Sequence, residues 1–284
     1  MNYKYKKFTE ESISYLTSYI KRNGLQSLVL GISGGIDSTV VAALASVACK
    51  KTGAKLIGRS LPAHTNNPDE INTATLVGQA FCDDFKEVAI ESIYAKVADE
   101  FELNEGKMNT LQLGNIKARL RMMYLYNLAS IHRGCVLDTD NRTEHELGFW
   151  TIHGDIGDLN CGLIHLWKTE VYELAGYLLE KQDQSDKYQA LLASIKLTPT
   201  DGNGVMSGGD CAQFGLDNYS QVDDVLKTMY FSNIKYETKK MDEYIRLIDS
   251  YNEQGVDSVM IRHQNSAFKR IPQPIYPNKE ELGI

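Results

Sequence analysis

Apolar residues recur along this chain with two alternating periods. Over residues 9–22, Ile13, Leu16, Tyr19 and Ile20 repeat at helical spacing. Residues 27–32 then form a short apolar run, Ser-Leu-Val-Leu-Gly-Ile, of the kind that fills a buried parallel strand. A glycine-rich turn follows, and residues 38–50 return to a helical period. The alternation continues with a strand over 55–61, a helix over 69–83, a strand over 86–90 and a helix over 92–101. A long helix over 114–132 and a strand over 134–139 complete it. Strands alternating with helices predict an α/β fold: a doubly wound parallel sheet, helices on both faces, and a ligand site at the carboxyl ends of the strands. Two stretches interrupt the pattern. Residues 103–113 are polar, and residues 201–218 carry Gly202, Gly204, Gly208, Gly209 and Gly215. Both read as long loops, either binding loops or plain surface connections.

Composition narrows the function classes. At 284 residues and 43% hydrophobic, the chain has ample length to bury a core. A net charge of −7 argues against a protein that coats nucleic acid, because it offers no basic field to neutralise phosphates. The longest apolar stretch, residues 40–49, is too short to span a bilayer, and the N-terminal residues lack the apolar core of a signal peptide. Cys49, Cys82, Cys135, Cys161 and Cys211 include no Cys-x-x-Cys pair. They read as reduced packing thiols of a cytoplasmic protein. His153 and His165 fit no compact zinc spacing and read as ordinary packing or surface residues.

The chemistry concentrates first between the strand at 27–32 and the helix that follows it. The string is Gly31-Ile32-Ser33-Gly34-Gly35-Ile36-Asp37-Ser38-Thr39. Gly34 and Gly35 let the backbone turn so that successive N–H groups face an anion. Ser33, Ser38 and Thr39 add hydroxyls, and the next helix presents its positive end. No lysine lies in the loop, so this is not the Gly-x-x-x-x-Gly-Lys arrangement. It carries Asp37 instead. A carboxylate beside a triphosphate repels it unless a cation intervenes, which reads Asp37 as a Mg²⁺ ligand. The competing reading makes Asp37 a simple helix-start acid.

This Ser-Gly-Gly-x-Asp-Ser string resembles that of the N-type ATP pyrophosphatases, and further segments resemble the NAD synthetases among them. Gly114-Asn115-x-x-Ala118-Arg119-x-Arg121-Met122 is one such segment, on a helix where Lys117 and Arg121 share a face and Arg119 points elsewhere. Thr139-Asp140-Asn141-x-x-Glu144, Gly148-Phe149-x-Thr151-x-x-Gly154-Asp155, Lys168, Pro199-Thr200 and Lys269-Arg270 follow in family order. The resemblance covers residues 10–275 or so. It implies an adenine nucleotide alpha hydrolase-like fold and one NAD synthetase-like domain over residues 1–284.

The resemblance also implies roles. Gly31, Ile32, Ser33, Gly34, Gly35, Ile36, Asp37 and Ser38 would cradle the phosphates of ATP. Thr139, Lys168 and Thr200 would contact the same nucleotide, and Asp37 and Glu144 would hold Mg²⁺. Arg119, Asp158 and Lys269 would meet the pyridine nucleotide. The implied reaction adenylates the nicotinate carboxylate of deamido-NAD, and ammonia then displaces AMP. Ammonia would arrive free or from a separate glutaminase, and the protein would be a homodimer with the dinucleotide at the subunit interface.

Several positions depart from the family pattern. Ile152 stands where single-domain members carry a substrate-contacting lysine. Leu159 aligns with a substrate-contacting aspartate, with Asp158 one residue away, while Gly162 replaces a proline and Phe268 a histidine. These departures leave open whether the substrate is the dinucleotide or nicotinate mononucleotide. Two other readings stand beside these: a superfamily ligase acting on another carboxylate, and a nucleotide sensor that kept the fold without turnover.

Overall fold

A computed structural model describes residues 2–198, 210–232 and 241–271. Among them a parallel five-stranded sheet has β1 (Ser27–Gly31) at its centre. β2 (Lys55–Ser60) and β3 (Asp84–Glu87) lie to one side of it, β4 (Gly134–Asp138) and β5 (Leu159–Asn160) to the other. The order β3-β2-β1-β4-β5 reverses direction between β1 and β4, and in such sheets the crevice for a ligand opens beyond that point.

The period-2 alternation of β1 assigns its side chains to two cores. Leu28 and Leu30 face one layer of helices: α1 (Asn2–Asn23), α2 (Ile36–Thr52), α3 (Pro68–Phe81), α7 (Lys168–Leu179) and α8 (Asp186–Lys196). Val29, with Ile57 and Val136 of the adjoining strands, faces Met122, Leu125 and Leu128 of α5 (Thr110–Ile131) on the other side. α4 (Glu91–Glu105) packs on α5 through Tyr94, Ala98 and Leu120. The α2 helix is apolar almost all round because it is central. Val40, Val41, Ala42, Ala45 and Ala48 are buried, as a helix enclosed by a sheet and other helices requires. Each leucine so enclosed stabilises the fold by roughly 1.5–3 kcal/mol.

The doubly wound parallel sheet expected from the sequence is present, with corrections at the element ends. The expected break at 103–113 is mostly helix: α4 runs to Glu105, and α5 begins at Thr110. Asn109 starts α5 by accepting from the N–H of Gln112 while the Gln112 side chain returns the bond, so polar residues here cap a helix. The third strand is shifted toward the N-terminus of the 86–90 run. Its start is pinned where Asp83 Oδ2 accepts the N–H of Leu56 at 2.8 Å, while Ile90 turns down into the α5-side core. The first helix begins at Asn2, seven residues earlier than its apolar period indicates, and buries Tyr5.

A second core lies at the C-terminal side. α6 (Arg142–Leu147) contributes Leu147 to it, and a 3₁₀ turn (Asp210–Phe214) contributes Cys211 and Phe214. α9 (Tyr219–Ser232), α10 (Met241–Ser250) and α11 (Glu253–Asn265) close around Val225, Leu247 and Val259. Of the glycine-rich stretch 201–218, residues 201–209 lie outside the described residues. No helix among the described residues is long and apolar enough to cross a membrane.

Candidate active site

The carboxyl ends of β1, β2 and β4 open into a cavity of about 840 Å³. Its floor is the turn from β1 into α2. Gly34 sits there at φ +87°, and a Cβ on it would stand 2.4 Å from the Glu70 carbonyl oxygen and 3.0 Å from the Ala74 nitrogen. Only glycine lets α3 pack this close at this backbone angle. Gly35 is the N-cap of α2 and offers no side-chain acceptor, so the first N–H groups of the helix face the cavity without a cap. Ser33 Oγ lies 3.1 Å from Ser38 Oγ and accepts the Gly35 N–H at 3.2 Å, which holds the turn open. The result is a concave row of donors at the positive end of a 17-residue helix.

Three charged side chains from three elements meet above this turn. Lys168, 4% exposed at the start of α7, donates to Asp37 Oδ2 at 2.5 Å and to Glu144 Oε1 at 2.9 Å. Its ammonium also stands 5.3 Å from the centre of the Tyr219 ring. Asn141, fully buried, donates from Nδ2 to Asp37 Oδ1 at 2.8 Å. The same side chain caps α6, accepting the Glu144 N–H at 3.1 Å while Glu144 Oε2 accepts the Asn141 N–H at 3.3 Å. Glu144 is therefore both a helix-start acid and a site residue: one oxygen caps α6, the other meets Lys168.

The charge of this group is unbalanced. Asp140 is 8% exposed and lines the cavity. Burial raises its carboxyl well above the usual range, and Asp138, Glu144, Asp155 and Asp37 push the same way. Burial likewise pushes Glu144 up to about 7, with Lys168 pulling it back and Asp37 adding to the rise. Burial pulls on Lys168 in the opposite sense, but Asp37 and Glu144 more than reverse it, so its ammonium stays charged. A buried ammonium between two carboxylates, with further carboxylates behind, leaves an acidic excess in a low-dielectric pocket.

The opposite wall comes from residues after α6, from the end of α11 and from the chain beyond it. Lys269 donates from Nζ to the Gly148 carbonyl at 2.8 Å and also to that of Trp150. Arg262 donates to the Leu147 carbonyl at 3.0 Å, with its guanidinium 5.9 Å from the Phe149 ring centre. Burial lowers both basic groups from their ordinary values. Gly148 ends α6 at φ +58°, where a Cβ would come 2.4 Å from Ser266 Cβ. Thr151 donates its hydroxyl to Asn115 at 2.8 Å, tying this wall to α5.

The structure gathers most of the residues singled out in the sequence. Gly31, Ile32, Ser33, Gly35, Ile36, Asp37, Ser38, Thr139, Glu144, Lys168 and Lys269 all line the cavity. Gly34 makes the turn but faces α3, away from the cavity. Thr200 lies outside the described residues.

Two of the expected pyridine-nucleotide contacts do not line this chain's cavity. Arg119 is on the exposed face of α5, donating to the Ile152 carbonyl at 3.2 Å. Asp158 is spent on structure: its carboxylate accepts from Tyr126 Oη at 2.9 Å and from the Val136 N–H at 3.2 Å. Leu159, its neighbour, is in the sheet core. Arg121 reaches the cavity in place of Arg119, donating to the Leu61 carbonyl at 2.9 Å and to Asn66 Oδ1 at 3.0 Å. The helical spacing of Lys117 and Arg121 carried that information. Arg59 was missed altogether. It is 3% exposed at the end of β2, paired with Asp84 at 2.9 Å, and lines the cavity; an arginine in a strand gives no local signal of bordering a cavity.

Fold and site together define an α/β protein whose cavity, lined by an uncapped helix start and charged side chains, opens where its strands end. The family described as NAD synthase matches residues 8–273. The chain is 29% identical over 271 residues to the NH(3)-dependent NAD(+) synthetase of Fusobacterium nucleatum, covering 93% of each chain. It is 36% identical over 166 residues to the protein of that name from Pyrococcus furiosus, covering 58% of this chain and 62% of the relative. An NH3-dependent NAD synthetase from Campylobacter jejuni superposes with a TM-score of 0.69 at 25% identity, over 96% of this chain and 99% of that one. The NMN synthetase of Francisella tularensis shares the fold with a TM-score of 0.75 at 24% identity, over 96% and 98%. The chain belongs to the NAD synthase family, and with it to the ligases.

Proposed function

We propose that this chain is an ammonia-dependent NAD synthetase that uses ATP to activate the nicotinate carboxylate of deamido-NAD. The carboxylate attacks the α-phosphate, giving an adenylated intermediate and pyrophosphate; ammonia then displaces AMP and leaves the amide of NAD. The observation that carries this reading is the uncapped start of α2 beneath the Asp37–Lys168–Glu144 group, inside a cavity large enough for a nucleotide. The donors of the α2 turn and the hydroxyls of Ser33 and Ser38 would hold the departing pyrophosphate. Lys168 would bring positive charge to it, and Thr139 would border the nucleotide. Adenylyl transfer asks the protein mainly for in-line positioning and for charge compensation as the pyrophosphate leaves.

The donor set also fits a divalent cation. Asp37 and Glu144 supply hard carboxylate oxygens, both paired here with the Lys168 ammonium, although no cluster of three or more such ligands is gathered among the described residues. They would hold Mg²⁺, which when bound adds positive charge beside the phosphates. The reading of residues 1–284 as one domain is supported by α6, which serves both the site and the second core. A homodimer is supported by the outer face of α5, where Met123 is 55% and Tyr126 40% exposed beside Arg119. On that reading Arg119 meets the dinucleotide across the subunit boundary. A reducing, cytoplasmic setting is supported by five free cysteines, four of them buried.

A second reading has a specific observation in its favour. Ile152, Leu159, Asp158 and Arg119 present no charged side chain to this chain's cavity, which suits the smaller nicotinate mononucleotide. Incubation with ATP, Mg²⁺ and ammonium plus either acceptor, followed by assay of AMP, pyrophosphate and amide, separates the two. Turnover with only the mononucleotide selects the second reading. AMP release with neither acceptor but with another carboxylate places the protein among the other ligases of the superfamily. ATP binding without pyrophosphate release on any acceptor makes it a sensor.

A further inference from the structure

Asp223 has no role in the site as described, yet it is fully buried at 0% exposure and uses both carboxylate oxygens. It lies on α9, whose apolar face belongs to the second core and not to the sheet. Oδ1 accepts the hydroxyl of Thr143 at 2.5 Å, and Oδ2 accepts the backbone N–H of Thr169 at 2.9 Å. Thr143 Oγ1, itself fully buried, accepts in turn the backbone N–H of Lys168 at 2.8 Å. Three helices thus meet through one carboxylate. α6 brings Thr143, the residue before Glu144; α7 brings Lys168 and Thr169; α9 brings Asp223.

The arrangement solves a local problem of α7. Its N-cap residue is Trp167, which has no side-chain oxygen; Glu170 Oε2 takes the Trp167 N–H at 3.0 Å, and the N–H groups of Lys168 and Thr169 find their acceptors outside the segment. Thr143 and Asp223 take both from other helices, and the carboxylate lies at the positive end of α7. A carboxylate is required because both groups that bond to it are donors. The hydroxyl hydrogen of Thr143 points to Asp223, since its oxygen is already accepting from Lys168. An amide at 223 would turn an NH₂ toward one of these donors and lose that bond.

We propose that Asp223, acting through Thr143, is the positioning residue that sets Lys168 and Glu144 relative to each other. The helices of the second core thereby hold the charged group above the α2 turn in register. The inference rests on the reading of that group as an ATP site, and the test separates the two. ATP affinity in the presence of Mg²⁺ is measured by calorimetry for the wild type, D223N, T143V and T143S, and for D223N in a K168Q background. Thermal unfolding is recorded for each. D223N and T143V are expected to weaken ATP binding on the order of 10-fold, the loss of one charge-assisted hydrogen bond. T143S, which keeps the hydroxyl, stays within about twofold of wild type. Once Lys168 is gone, D223N adds less than about twofold, because the side chain it positions is absent.

Affinities of D223N and T143V equal to wild type overturn the proposal. So does an equal loss from D223N with and without Lys168, which is what a general effect on the fold produces. Should D223N fail to fold, T143V against T143S decides on the same criterion. Wild-type protein that binds no ATP overturns the reading of the site itself, and the positioning role with it.

Discussion

The wall of the cavity formed at the α2 turn and the β4–β5 edge of the sheet both carry dense polar motifs, yet they are built to opposite plans. On the α2-turn wall, charge is buried and converges: Asp37, Glu144 and Lys168 come from three elements and meet within hydrogen-bonding distance. At the β4–β5 edge, charge is directed at backbone and solvent. Asp158 closes the edge onto the Val136 N–H, and Arg119 caps the Ile152 carbonyl. Burying an ammonium between carboxylates costs desolvation that only close pairing offsets. A carboxylate on a strand N–H at the surface has a structural reason to exist without any ligand.

Substitutions test that contrast, and the largest effect belongs to the α2-turn wall. K168A should lower pyrophosphate release by about 10²–10³-fold, the scale of losing one preorganised electrostatic contact. An assay showing K168A within a few-fold of wild type would remove the contrast altogether. G34A should act on stability more than on chemistry, because a Cβ there meets the Glu70 carbonyl at 2.4 Å and the backbone is at φ +87°. A loss on the order of 1–3 kcal/mol is expected in chemical denaturation. At the sheet edge, D158N should cost about 1 kcal/mol of stability and leave kcat unchanged, since its bonds go to Tyr126 and Val136. A D158N protein that unfolds normally but loses turnover would move this edge into the site.

The smallest effect is a slope. The carboxyl of Glu144 is held up to about 7 in the folded, ligand-free protein, against an ordinary value of 4.5. Between those values the folded state binds more protons than the unfolded one, so this group makes stability fall as pH rises. E144Q should flatten that part of the stability–pH curve between pH 4.5 and 7. Urea titrations across that range measure it.

Much of the α2-turn wall was legible because it is local. Ser33 to Ser38 lie within six residues at the junction of an apolar strand and an apolar helix, and that context assigns glycine, hydroxyl and carboxylate their places. Glu144 was legible as a carboxylate just past a strand, although its second task as a cap needed Asn141 to be seen beside it. The opposite wall was harder. Arg121 and Arg119 sit two residues apart on one helix, and which of them faces the cavity follows from how α5 lies on β1 and β4. Arg59 and Asp223 carried no local sign: one is a strand arginine, the other a helix aspartate, and each has its partner in a distant segment.

From the amino-acid order alone came the alternation of strands and helices, and with it the parallel sheet. The glycine turn after β1 came the same way, because hydrophobic period, glycine freedom and helix-end polarity act over a few residues. Tertiary structure alone decided that Lys168 would lie between Asp37 and Glu144. It also decided that Arg119 and Asp158 would face away, and that a carboxylate from the second core would cap α7. Those outcomes depend on how helices far apart in the chain pack against one another, and no short-range rule encodes the distances between them.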